Sequence, residues 1–307
     1  MKYASPFYRR LLAIQDAGVR GVNRRLTRAL LATGQDSDKH WDEFRDMLSR
    51  VLLIADLAGR ASAHAGAGVP HAKEPVEKTK IKALYADDPM FKIMPFVRAV
   101  NFMLTRASIP FHEVQALSHA AKNRAFWVAG LTKIETLDLL KKKIATFPAG
   151  KMGSTSEFIR FARDAAGSIS DSHAETILRT NVSRAFNQAH VSETANKMSK
   201  YVALLRLDEV HDNRTRGNPN GLYPSPMHPH WQMDGYIASP HDPIWSVITP
   251  PNGYNCRAST TPITWDTAQK KGWSTPDGKL KMDAIRRHNG LRQKLLDAKI
   301  YPDAGFH

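Results

Sequence analysis

Apolar residues recur at helical spacing through most of the first two-thirds of the chain, and the pattern changes only near Tyr201. From Ser5 to about Thr33, Leu11, Leu12, Val19, Val22, Leu26, Leu30 and Leu31 fall mostly three or four positions apart, which predicts one helix or two short ones. A further helix is predicted from an N-cap at Ser37 or Asp38 through Trp41, Phe44, Met47, Leu48, Val51, Leu52, Ala55 and Leu57. Residues Ala63 to Lys80 break the pattern. Gly66, Gly68, Pro70 and Pro75 sit there among polar side chains, so the stretch reads as a linker or exposed loop carrying His64 and His71. Helical spacing returns through Phe91, Met94, Val97, Val100 and Leu104, and again from Phe111 to about Arg124. After the short apolar run Ala125 to Leu131 comes a helix to Ala145, with Thr132 as cap and Ile134, Leu137, Leu140 and Ile144 on one face. The turn Phe147-Pro148-Ala149-Gly150 precedes two more helices, one carrying Phe158, Ile159, Phe161 and Ala162 and one running from about Asp171 to Met198.

From Tyr201 to Val210 the chain is rich in β-formers and predicts a strand. The proline-rich segment that follows, to Ser259, has little periodicity with which to bury itself. It must be held by aromatic anchors, for which Trp231, Tyr236, Trp245 and Tyr254 are the candidates, and by side chains bonded to orphaned backbone groups. Met282 to Ile300 predicts a basic amphipathic helix, with Arg286, Arg287, Arg292 and Lys294 around its apolar face as candidate contacts for DNA or a partner, docking on its own domain being the default. The fold class expected is α+β: a largely helical N-terminal two-thirds, then a small loop-rich α+β domain with few short strands and a C-terminal helix. The organisation expected is a helical region over 1–72, a helical lead-in over 73–170, an α+β domain over 171–265 and a basic tail over 266–307.

Charge adds a partner to this picture. With 44 Lys and Arg against 29 Asp and Glu in 307 residues, the formal net charge is +15, which suits a polyanion and nucleic acid above all. Lys141, Lys142 and Lys143 suit a helix C-terminus and equally a phosphate backbone. Cys256 is the only cysteine, so an intrachain disulfide and a cysteine-rich zinc module are both excluded. Met1 to Arg10 lacks a signal peptide's apolar core, and there is no run of about 18 apolar residues, so the expectation is a soluble protein made in the cytoplasm.

Candidate chemistry gathers between Arg179 and Arg257. His228, His230, His241 and Cys256 are potential metal ligands, but their spacings match neither paired knuckles nor a helical His-x-x-x-His, so no metal and no cofactor are expected. Arg214, Arg216 and Arg257 have a plainer use: guanidinium forks pin loops that lack a ladder of their own, with Asp212, Asp234 and Glu209 as available partners. A rival reading makes the region an enzyme, metal-dependent or nucleic-acid-processing, with its pocket among His230, Asp234, Arg214 and Cys256.

In order along the chain stand Arg179-Thr180-Asn181, Asp212 with Arg214-Thr215-Arg216, His230 with Met233-Asp234-Gly235, and Pro243 with Trp245. Pro250-Pro251-Asn252-Gly253-Tyr254-Asn255-Cys256-Arg257 closes the series. Together with Ala125 to Gly130, Gly153 and Ser156-Glu157-Phe158 upstream, this series resembles the phage Mu F-like head morphogenesis proteins, also called minor head or minor capsid proteins, over roughly 90 to 262. Members of that family often end the last motif in Cys-Arg-Cys, where this chain has Cys256-Arg257-Ala258, which weakens a metal role for the closing motif and favours a structural one. The resemblance implies a non-enzymatic component of a tailed-phage head at the portal vertex or capsid interior, assembled in the host cytoplasm. It also implies the portal protein, the major capsid or other head proteins and packaged double-stranded DNA as partners, with no membrane. It carries over no catalytic residues.

Overall fold

The computed structural model describes residues 23–32, 35–68, 111–145, 155–225, 229–254, 256–299 and 301–303. The helix expected through Phe91 to Leu104, the turn at Phe147 to Gly150 and His71 lie outside the described residues. Four helices come first: α1 over residues 23–31, α2 Gln35–Gly66, α3 Phe111–Ala145 and α4 Thr155–Glu193, the last continuing into a π-helical turn Thr194–Met198. They contribute to two compact units, one within Ile54–Val114 and Val182–His307, the other within Leu12–Leu53 and Gln115–Asn181.

In the second of these units, α2 buries Trp41, Phe44, Met47, Leu48 and Leu52 of the face that its sequence pattern predicts, adds Leu53 and leaves Val51 half-buried. Each such side chain contributes roughly 1.5–3 kcal/mol on leaving water. Lys133 of α3 lies over the Trp41 ring, 5.8 Å from its centroid, and Arg45 of α2 lies over Phe126 at 5.7 Å. α3 departs from expectation in being one unbroken rod. Its buried positions Ser118, Ala121, Ala125, Ala129, Thr132, Thr136 and Leu140 keep helical spacing straight through the Ala125 to Leu131 run. Thr132 is no cap, because its hydroxyl donates to the Val128 carbonyl one turn back at 2.7 Å. Small residues therefore face inward, while Phe126, Trp127, Leu131 and Ile134 are exposed. α4 likewise joins what the sequence divides into two helices.

In the first unit, α2 runs to Gly66 and so includes part of the expected linker. The reason is packing: Ala58, Ala61, Ala63 and His64 are all buried, and a Cβ on Gly59 would collide with the Phe186 carbonyl of α4. His64 is consequently a core residue. Its Nε2 lies 3.0 Å from Oε1 of Glu193, whose carboxylate also meets Arg60 at 2.8 Å and Lys197 at 3.3 Å.

The same unit holds a three-stranded antiparallel sheet in the order β2-β1-β3: β1 Val202–Asp208, β2 Ile237–Ala238 and β3 Ser259–Thr264. β1 is the strand the sequence predicts, trimmed at both ends, and it is central. Only Arg206 along it is not buried, which explains a continuous apolar run in place of clean alternation. Leu205 and Leu207 join Met233, Tyr236, Trp245, Ile248, Ala258 and Tyr301 in one core cluster, and Leu204, Ile237, Ile263, Ala268 and Ile285 form another. Short helices α5 His230–Met233, α6 Trp245–Ile248 and α7 Trp265–Lys270 punctuate the connections. The C-terminal helix α8, Met282–Asp297, bends at Gly290 and docks on β2, where Asn289 accepts from the Ile237 amide at 3.0 Å and donates to its carbonyl at 2.8 Å. The α+β class expected from the sequence is the one observed.

Candidate functional site

Where β1 ends, the backbone leaves the sheet and its polar groups need partners from elsewhere. Asp234 supplies one, its Oδ1 accepting from the Glu209 amide at 2.9 Å while its Oδ2 lies 2.9 Å from His211 Nε2. Asp212 supplies more. It accepts from the Arg214 amide at 2.9 Å and takes both arms of Arg257, at 2.6 and 2.8 Å. The Arg257 hydrogen bonds hold the Asp212 carboxyl down at about 2, against the opposing effect of burial. Thr215 is buried with its hydroxyl donating to the Val210 carbonyl. Arg257 thus gives the loop bracing that the arginine-rich sequence suggests, whereas Arg216 pairs with Asp303 and the exposed Arg214 takes part through its backbone amide.

That pair explains a glycine. A Cβ on Gly253 would strike both Asp303 and Arg216, so the closing motif can pass there only without a side chain. Asn252 is fully buried, donating to the Ile248 carbonyl at 3.1 Å and accepting the Asp303 amide on its own carbonyl at 3.0 Å. Pro250 and Pro251 are buried and joined by a cis peptide. Of the expected aromatic anchors, Tyr236 and Trp245 are buried, and the Trp245 indole donates to the Ser239 carbonyl at 2.8 Å. Trp231 is half-buried and stacks on His211, whereas Tyr254 is 63% exposed.

Beside these braces the buried Glu209 and His230 cluster with the partly buried Cys256, and their ligand-type atoms all fall within 4.8 Å of one another. His230 opens α5 and points Nδ1 at Glu209 Oε1 at 3.5 Å, while its Nε2 lies 3.2 Å from Asp303 Oδ1. The Tyr301 hydroxyl donates to Glu209 Oε1 at 3.1 Å. Burial opposes charge on His230, but its bonds to Cys256 and Glu209 outweigh that and raise its pKa to about 9. Burial, with Glu209 and Cys256 alongside, pushes the Tyr301 phenol well above its ordinary value, which keeps it a donor.

The cluster opens on a cavity of about 600 Å³ lined by Arg214, Arg216, Tyr223, His230, Cys256 and Arg257 among others. Three of the four residues of the enzyme reading therefore meet, and Asp234 is not among the lining residues. Glu209 was visible in the sequence only as a possible arginine partner, while Tyr301 and Asp303 carried no signal. Gly235 takes a positive φ of +81° beneath Arg292. Arg179, Thr180 and Asn181 lie on α4 within the other compact unit, where the Asn181 side chain donates to the Ile177 carbonyl at 2.8 Å.

The cations proposed for nucleic acid divide. Arg286, Arg287, Lys294, Lys142 and Lys143 are exposed, with Lys142 bridged to Asp138 at 2.7 Å. Arg292 instead donates to the Asp234 and His288 carbonyls, at 2.5 and 3.2 Å, and so braces the fold. Lys141 sits on α3, with its side chain outside the description.

The model of the family described as Phage Mu protein F like protein matches residues 145–261, a stretch that contains the arginine braces, the cluster and the closing motif. The chain is homologous to the phage Mu F-like proteins, as its motif series indicates. A curated relative is the Mu-like prophage FluMu F protein of Haemophilus influenzae, 28% identical over 214 residues that cover 61% of this chain and 47% of that protein. The chain thus spans about half the length of the relative it matches. No solved structure matches it.

Proposed function

We propose that the chain is a minor head protein of a tailed phage, acting in head assembly, DNA packaging or genome delivery from the portal vertex or capsid interior. Homology to Mu F-like proteins over the motif-bearing region carries this reading. Its partners are the portal protein, the major capsid or other head proteins, and the packaged double-stranded DNA. It resides in the virion, and in the host cytoplasm while heads assemble. Among the described residues no helix is long and apolar enough to cross a membrane.

The charge of +15 supports contact with DNA, and the exposed Arg286, Arg287, Lys294, Lys142 and Lys143 are the groups that make it. The motif residues act as braces and turn over no substrate. A second reading, an enzyme working in the cavity around His230, Arg214 and Cys256, is favoured by one observation, the opening of that buried cluster onto about 600 Å³ of space. The deciding experiment locates the chain in intact virions with gold-labelled antibody, and pairs this with salt-dependent DNA binding. We expect label at the portal vertex or inside the head, and sequence-indifferent binding whose salt slope falls by about 1 for each of Arg286→Ala and Arg287→Ala. Label absent from virions would sink the proposal.

A further inference from the structure

The Glu209, His230 and Cys256 cluster does more than fill the core. We propose that it is a mononuclear site for a zinc-type divalent cation, held by the Glu209 carboxylate, His230 Nδ1 and the Cys256 thiolate, with a fourth position open to the cavity.

Geometry is the first support. Tetrahedral zinc with bonds of about 2.0–2.3 Å sets neighbouring ligand atoms about 3.3–3.8 Å apart. His230 Nδ1 and Glu209 Oε1 stand at 3.5 Å, and all three ligand atoms lie within 4.8 Å of one another, so small side-chain adjustments close the set. The three residues arrive from separate places: the end of β1, the start of α5 and the closing motif.

The surroundings are the second support. A ligating histidine is normally fixed by a carboxylate on its other nitrogen. Here His230 Nε2 meets Asp303 at 3.2 Å, and Asp303 is itself held by Arg216. Glu209 is steadied in the same way by the Tyr301 hydroxyl. Both outer partners are therefore in place, and His230 Nδ1 is left on the side of Glu209 and Cys256.

Charge is the third. Glu209 is 5% exposed, and among the described residues no lysine or arginine pairs with it. Its charge is met by His230, and a cation bound between the carboxylate and the thiolate takes the place of the Nδ1 proton on that ring. The mixed oxygen, nitrogen and sulfur donors select a borderline metal and disfavour magnesium and calcium, which take oxygen alone. The cavity gives the fourth position access to water or to a partner's side chain. The site stands whether or not the chain is a head component.

The test titrates the full chain, stripped with chelator, with Co²⁺ alone. We expect one equivalent to bind with the visible spectrum of a tetrahedral ion and a near-ultraviolet thiolate-to-cobalt band, both displaced by Zn²⁺. Cys256→Ser should abolish the thiolate band, and Glu209→Gln and His230→Gln should weaken binding at least about 10-fold. Asp303→Asn should lower affinity about 10–100-fold with the tetrahedral spectrum retained, the mark of a positioning residue. His241→Gln, at an exposed site outside the cluster, should bind like wild type. An octahedral spectrum, no saturable binding, or a thiolate band that survives Cys256→Ser would overturn the site. The wild-type titration decides the matter alone should a variant fail to fold.

Discussion

Two buried glutamate and histidine pairs invite comparison, one on the helices and one in the loop-rich segment. On the helices, Glu193 is 1% exposed and meets His64, Arg60 and Lys197, so its charge is answered by side chains. Burial works against that charge, yet these three neighbours together hold the Glu193 carboxyl below its usual value. In the loop-rich segment, Glu209 has a histidine, a phenol and a thiol around it, and its cluster opens on a cavity. The lesson is that burial of ionisable groups does not by itself mark a site. The helical cluster is closed and saturated, whereas the loop cluster has its outer partners fixed and its inner donors converging on a point.

The largest expected effect tests the closed cluster. Glu193→Ala strips the buried His64 of its carboxylate and leaves the partly buried Arg60 with Asp56 alone, and should cost about 3–5 kcal/mol in denaturant unfolding. In the metal-free protein Glu209→Gln, which keeps an acceptor for Tyr301, should cost only about 1–2 kcal/mol by the same measurement. Equal losses would mean that the two clusters are alike in kind.

A similar loss is expected at the loop brace. Asp212→Ala removes the partner of Arg257 and of the Arg214 amide and should cost about 1–2 kcal/mol, less than a buried pair because Asp212 is partly exposed. Mutants that melt like wild type yet give empty or non-infectious heads would assign Asp212 a role in assembly instead.

A pH dependence is expected as well. His190 on α4 is fully buried, 2.7 Å from the Thr260 hydroxyl, and burial lowers its pKa to about 4. Because the unfolded chain takes up this proton near 6.5 and the folded one does not, its contribution is whole above pH 6.5 and is lost as pH falls toward 4. The stabilisation from Asp212 persists through that window and is lost only as pH falls below the ordinary carboxylate value toward about 2. Melting temperature should therefore decline between pH 6.5 and 4, and His190→Gln should flatten that decline. A decline unchanged in the variant would place its origin elsewhere.

The helices and β1 were legible because burial there follows a period that sequence displays directly. α3 shows the limit of that reading: its period was visible, but small residues took the inward face and Trp127 and Ile134 stayed outside, an outcome that depends on how closely neighbours approach. His64 was misplaced in a loop because glycine and proline further along dominated the local composition, while its partner Glu193 lies 129 residues away. The site was half legible. His230 and Cys256 stood out by residue type, and Asp212 and Arg257 were legible as bracing groups from the density of charge in a proline-rich stretch, though not as each other's partner. Glu209, Tyr301 and Asp303 were not readable as companions, because each reaches the cluster through tertiary contacts that leave no local pattern.

Asn289 offers a different consequence. The outer edge of β2 presents an amide and a carbonyl at Ile237 that would otherwise invite a strand from another molecule. One asparagine side chain occupies both. The sheet is thereby closed to templated growth on that side, so β2 does not recruit a strand from a crowded neighbouring copy.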